Sequence, residues 1–194
     1  NLVVIGRRGL TPNSRPLVKE LADSGARVEV HRADVSRADE LNRIVAKIRT
    51  DLPPLRGVMH LAGVTRSDAL EDMTIDELAT VLAPKVQGAW NLHRAVEGID
   101  LDFFVLFSSA AAVWGSRRMA HYAAANCFLD ALAHYRRGLR LPALSINWAR
   151  LSRRGMQPTE LESSLARIGV DAISWTQEFE TLNRLIQSGP VSYT

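Results

Sequence analysis

The chain has 194 residues, 46% of them hydrophobic and 23% charged, which is enough for one domain with a sizeable core. No apolar run approaches the ~20 residues a membrane-spanning helix needs, and no basic-then-apolar signal segment opens the sequence. The net charge of +3 suits anionic ligands or an acidic partner, but the arginines are dispersed without a DNA-binding signature, so nucleic acid is not an expected partner. Cys127 is the only cysteine, which excludes an internal disulfide and a thiolate metal cluster. No metal is expected, and a reducing cytoplasm is the expected location.

In chain order, "NLVVIG" (1–6) is an apolar run ended by Gly6 and reads as a buried strand. Helical spacing follows around Leu17, Leu21 and Ala22, and "ARVEVH" (26–31) alternates like a strand. Ser36 is the expected N-cap of a helix in which Leu41, Ile44, Val45 and Ile48 share one face. "PPL" marks a loop, and "GVMHLAG" (57–63) is the next strand and turn. Thr74 and Glu77 in "TIDE" form a capping box, and Pro84 is expected to kink or divide the helix they start, with Lys85 opening its second part. "DFFVLF" (102–107) is apolar on both parities, as in a central parallel strand covered on both faces. A long helix is predicted near 120–137, "PALSINW" is another strand, and two short helical stretches and "PVSYT" finish the chain.

Strands alternating with helices predict an α/β fold with a Rossmann-like, doubly wound parallel sheet, and no linker divides residues 1–194. Ligands of such sheets bind beyond the carboxyl ends of the strands. Those ends are Gly6–Arg8, Ala33–Asp34, Leu61–Gly63, Ser108–Ser109 and Asn147–Trp148, and they are expected to converge on one crevice.

Ser109 stands 13 residues before Tyr122, and Asn126 follows at i+4 on the same helix face. A tyrosine is a weak acid at neutral pH unless an ammonium nearby favours its phenolate, and Lys85 is the candidate amine. With a serine hydroxyl to hold a carbonyl oxygen, these groups can protonate a ketone while hydride reaches its carbon. Each has a duller role open to it. Tyr122 reads also as a half-buried helix aromatic, Ser109 as a strand-end turn residue, Lys85 as a solvated helix lysine and Asn126 as a backbone partner. His121, next to the tyrosine, is expected at the surface.

The sequence resembles a ketoreductase domain of a modular type I polyketide synthase, in the extended branch of the short-chain dehydrogenase/reductase superfamily. The resemblance rests on "VVIGRRG", "ADVS", "GVMHLAGV", "APKVQGAWNL", "FVLFSSAAAVWGS", "YAAANCFLDALAHYRR" and "SINWA", in that order. It implies catalytic roles for Tyr122, Ser109, Lys85 and Asn126. The implied reaction is NADPH-dependent reduction of a β-ketoacyl thioester, carried on the phosphopantetheine arm of an acyl carrier protein, to a β-hydroxyacyl thioester. A non-catalytic scaffold within a synthase module is the alternative.

Two adjacent arginines, Arg7 and Arg8, at a strand's carboxyl end suit the 2′-phosphate of NADPH, because guanidinium binds phosphate bidentately. By resemblance, Asp34 and Val35 flank the adenine, and Ala62 and Gly63 let backbone approach the cofactor. Trp114 marks the A-type, which yields the L-configured alcohol, and Met119 in place of a histidine favours the A1 subtype. No G-x-G-x-x-G occurs. The resemblance implies that the first strand, its glycine-rich loop and the first helix lie before Asn1, so other parts of the synthase are expected to complete the domain. Arg117 and Arg118 stand where relatives have smaller residues, and "WARLSRRGM" departs from the family segment that precedes a lid.

Overall fold

The alternation of apolar runs and helical stripes becomes an alternation of strands and helices in the computed structural model, which describes residues 1–149, 167, 169, 172–188 and 192–193. Within these residues the chain forms two compact units. One is Asn1–Arg56 with Gln87–Asp100, and the other is Gly57–Val86 with Leu101–Thr194.

In the first unit, β1 (Leu2–Gly6) and β2 (Val28–Arg32) pair in parallel from Leu2↔Val28 to Gly6↔Arg32. Helix α1 (Arg15–Asp23) joins them and α2 (Ala38–Asp51) follows. The four apolar residues at helical spacing in α2, Leu41, Ile44, Val45 and Ile48, are all buried. Ala33, Ile44 and Ile48 form a core on which Val3, Ile5, Leu52 and Leu55 pack. The expected cap at Ser36 is not formed; Arg37 is the N-cap, without a side-chain bond. The Ser36 hydroxyl and N–H turn back to Asp34 Oδ1 at 2.7 and 2.9 Å, a local Asx-type bond that competes with capping.

The second unit holds a parallel sheet of order β3-β4-β5-β6, with β3 at Gly57–His60, β4 at Phe103–Ser109, β5 at Leu144–Trp148 and β6 at Ser192–Tyr193. Phe104, Val105 and Leu106 in β4 are wholly buried on both parities, the burial expected of a central strand. The Phe103 ring lies over Gly57, where a Cβ would stand 2.1 Å from it. Among the described residues the hydrogen-bonded strand orders are β1-β2 in the first unit and β3-β4-β5-β6 in the second.

Helix α3 (Ile75–Ala95) begins at the predicted capping box, with Thr74 N–H and Oγ1 donating to Glu77 Oε2 at 2.9 and 2.8 Å. It does not divide at Pro84. The pyrrolidine removes one helical donor, while Val81, Lys85 and Ala89 are buried on either side and hold the helix together by packing. The short α4 (Ala111–Trp114) and the long α5 (Ala120–Gly138) follow β4, and α6 spans Trp175–Ser188. Strand β5 alternates strictly. Leu144, Ile146 and Trp148 join Val105 and Leu185 in a core, whereas Ser145 and Asn147 turn to the other face. The segment 150–156, with the sequence departure ahead of the lid, lies outside the described residues.

Candidate active site

The carboxyl end of β4 is where the second unit gathers its chemistry. Ser108 and Ser109 are the last residues of the strand, which extends two residues past the apolar run that predicted it. Ser109 Oγ accepts the Ala111 N–H at 3.2 Å, which uses a lone pair and leaves the hydroxyl proton free to donate. Tyr122 is the third residue of α5 and is half-buried. Asn126, one turn on, is fully buried, and its Nδ2 donates to the Tyr122 carbonyl at 2.8 Å. Its Oδ1 is buried without a hydrogen-bond partner among the described residues.

Lys85 reaches this strand end from inside α3. It is 4% exposed, so the solvated alternative does not hold. Its Nζ donates to the Phe107 carbonyl at 2.8 Å and stands 5.9 Å from the centroid of the Tyr122 ring. Burial pushes the Lys85 amine down to about 8, and the charge of Asp130 pulls it partly back up. His60, at the end of β3, is also buried. Desolvation holds it at about 4, with the Lys85 charge acting in the same direction, so it is neutral at neutral pH. Lys85, Ser109, Tyr122 and Asn126 therefore all lie in one unit, around β4 and the first turns of α5. Trp114 ends α4 and is 64% exposed. Ala62 and Gly63 are half-buried in the loop after β3.

His121 corrects the sequence reading, for it is 2% exposed and not at the surface. Both ring nitrogens lack a hydrogen-bond partner among the described residues, and Nε2 lies 3.7 Å from Asp68 Oδ2. A signal for this existed: residues 121, 125, 129, 132 and 136 follow one helical stripe, and all are buried. Asp68 is held by Arg66 at 3.0 Å, and its N–H donates to the carbonyl of Arg118, whose φ of 60° is unusual outside glycine.

The first unit presents a separate cavity of about 570 Å³, lined by Arg7, Arg32 and Arg43 with His31, Asp34 and Glu40 among others. Arg8 is exposed outside this lining. The Asp34 carboxyl is held below its ordinary range: partial burial opposes this, but the Ser36 bonds and the Arg7 charge outweigh it. Its Oδ1 is thus already occupied by Ser36. The Val35 carbonyl accepts the Asn91 amide at 3.0 Å. Arg7, Arg32 and Arg43 bring positive charge to this cavity, and its Asp34 already has Oδ1 engaged.

Residues 1–153 match the family described as KR domain. The chain belongs to the KR, or ketoreductase, domain family. Mycoketide-CoA synthase of Mycobacterium tuberculosis is 40% identical over 175 residues, covering 89% of this KR chain and 4% of the synthase. Polyketide synthase GfsB of Streptomyces halstedii is 37% identical over 97% of the chain and 3% of its own length. A solved structure described as an A1-type ketoreductase superposes with a TM-score of 0.92 at 37% identity, covering 98% of this chain and 40% of that one. The first ketoreductase of the tylosin synthase gives 0.90 at 35% identity, over 98% and 41% of the two chains. The KR chain thus spans a small fraction of the curated synthases and about two fifths of these solved ketoreductases. No helix among the described residues is long and apolar enough to cross a membrane.

Proposed function

We propose that residues 1–194 act within a ketoreductase that uses NADPH to reduce a β-ketoacyl thioester, presented by an acyl carrier protein, to the β-hydroxyacyl thioester. The observation that carries this reading is the buried Lys85 ammonium beside the Tyr122 ring at the end of β4. A desolvated cation there stabilises the negative charge that develops on a phenol as it gives up its proton, and Tyr122 is therefore assigned as the proton donor. The Phe107 carbonyl keeps the amine on the ring side of the strand.

Ser109 would donate its free hydroxyl proton to the ketone oxygen, fixing that oxygen next to the phenol. Tyr122 then passes its proton to the same oxygen as it becomes an alkoxide, and Lys85 offsets the charge left on the phenolate. Asn126, tied to the Tyr122 carbonyl, holds the first turns of α5, and its Oδ1 is buried without a hydrogen-bond partner among the described residues. NADPH, when bound, supplies the hydride that reaches the carbonyl carbon. Arg7 and Arg8 are the residues that would hold its 2′-phosphate, Asp34 and Val35 would flank its adenine, and Ala62 and Gly63 would admit it close to the backbone.

Trp114, at the end of α4, is assigned to steering the acyl chain toward the A-type, L-configured product, the type named for one of the similar solved structures. The partners are the acyl carrier protein and the remaining domains of the synthase. The deciding experiment is Tyr122→Phe in the intact protein, assayed for NADPH oxidation with a soluble β-ketoacyl thioester. Loss of reduction by at least ~10³-fold with cofactor affinity retained is expected. Normal turnover would refute the role of Tyr122, and wild-type protein without any reduction would favour a scaffold.

A further inference from the structure

The reaction above leaves the polar face of β5 unused. Ser145 and Asn147 are 0% and 5% exposed in a strand covered on both sides, where apolar residues pack more cheaply. Both are spent on one carboxylate. Ser145 Oγ donates to Asp130 Oδ1 at 2.5 Å, and Asn147 Nδ2 donates to Asp130 Oδ2 at 2.8 Å.

Asp130 lies on α5 at i+4 from Asn126 and i+8 from Tyr122, on the same side of the helix. The Asn147 amide continues to Ser108 Oγ at 3.2 Å and the Ser109 carbonyl at 3.3 Å. Ser108 Oγ donates in turn to the Asn126 carbonyl at 3.2 Å. Hydrogen bonds therefore run without a break from Asp130, through the end of β4, to the helical turn that carries Tyr122.

The groups that face Lys85 come from three elements. β3 brings His60, neutral at neutral pH, and β4 brings the Phe107 carbonyl. From α5 come the Tyr122 ring and the charge of Asp130, which favours the ammonium form.

We propose that Asp130 is a positioning residue whose carboxylate, fixed by Ser145 and Asn147, clamps the Tyr122–Asn126 turn to the end of β4 and serves as countercharge to the buried Lys85. Its catalytic consequence rests on the ketoreductase reading; its electrostatic part does not.

The test is a ¹³C-lysine NMR titration of the intact protein, with the Lys85 signal assigned by its loss in Lys85→Met. This chain has two other lysines, Lys19 and Lys47, both exposed, which serve as references. Asp130→Asn is expected to move the Lys85 midpoint down by on the order of one pH unit, the size of a partly buried charge pair. Lys19 and Lys47 should stay in place, and Asp130→Glu should restore the midpoint. The alkaline limb of kcat should move with the Lys85 midpoint, which a merely structural loss would not produce.

An unmoved Lys85 midpoint in folded Asp130→Asn overturns the proposal. If that variant does not fold, Ser145→Ala keeps the charge and drops one bond to it. A several-fold fall in kcat with the midpoint unchanged is then expected, and unchanged kcat overturns the clamp. The titration needs no turnover, so an inactive wild-type protein would count against the ketoreductase reading and leave the countercharge to the NMR result.

Discussion

Lys85→Met separates the work of the amine from the work of the side chain's bulk. The substitution keeps an unbranched chain of similar volume in α3 and deletes the ammonium. Moving the amine from its ordinary 10.5 to about 8 corresponds to about 3 kcal/mol of disfavoured charge in the folded state. That figure is already net of the hydrogen bond to the Phe107 carbonyl, so the uncharged methionine should leave stability at pH 7 unchanged or raise it, by no more than about 3 kcal/mol.

The pH dependence has a definite sign. Below pH 8 both folded and unfolded chains carry the proton, and the penalty is fully present. Between pH 8 and 10.5 the unfolded chain binds more protons, so wild-type stability gains from this group as pH rises. That gain should be absent in the variant. Native-state hydrogen exchange of the α3 and β4 amides measures both effects in the intact protein, while ketone reduction should fall by at least ~10²-fold. A variant destabilised by more than about 3 kcal/mol that still reduces ketone at the wild-type rate would show that the lysine is structural and that the reasoning about its charge is wrong.

Replacing Arg7 and Arg8 together by alanine should weaken NADPH binding by ~10–100-fold and NADH far less, measured as separate dissociation constants; equal losses would remove the 2′-phosphate assignment. His60 adds an acid-side dependence. Its folded value of about 4 against 6.5 unfolded means that stability falls by up to about 3 kcal/mol as pH drops from 6.5 through 4, and His60→Gln should flatten that decline in a urea titration series. Gly57→Ala should cost about 1–3 kcal/mol, because the added methyl meets the Phe103 ring at 2.1 Å and that ring must shift; unchanged protection of the β3–β4 amides would contradict it.

Much of this architecture was legible from spacing. The apolar run at 102–107 on both parities announced a central strand, and the four apolar positions of α2 all proved buried. Thr74 and Glu77 form the capping box that their separation implies. The i, i+4 relation of Tyr122 and Asn126 became a direct side-chain to carbonyl bond.

What failed depended on contacts distant in sequence. A proline seen locally ends a helix, but buried flanks at Val81 and Ala89 carry α3 through it. A serine seen locally caps, but the Asp34 carboxylate captured Ser36 first. Lys85 alone reads as a surface residue, because nothing near it in sequence reports that Phe107, 22 residues away, offers a carbonyl to its amine. The alternation of Leu144, Ser145, Ile146, Asn147 and Trp148 was visible, but its partner, Asp130, could be named only once α5 lay across the strand.

That alternation also fixes how the sheet is threaded. Sliding β5 by one residue would drive three bulky apolar side chains toward a carboxylate and strand a serine and an asparagine among Val105 and Leu185, so neighbouring alignments of the strand are penalised on both faces at once. Removing a single residue from the turn at 139–143 should therefore be far more disruptive than removing two, since only the even change returns each side chain to its own side.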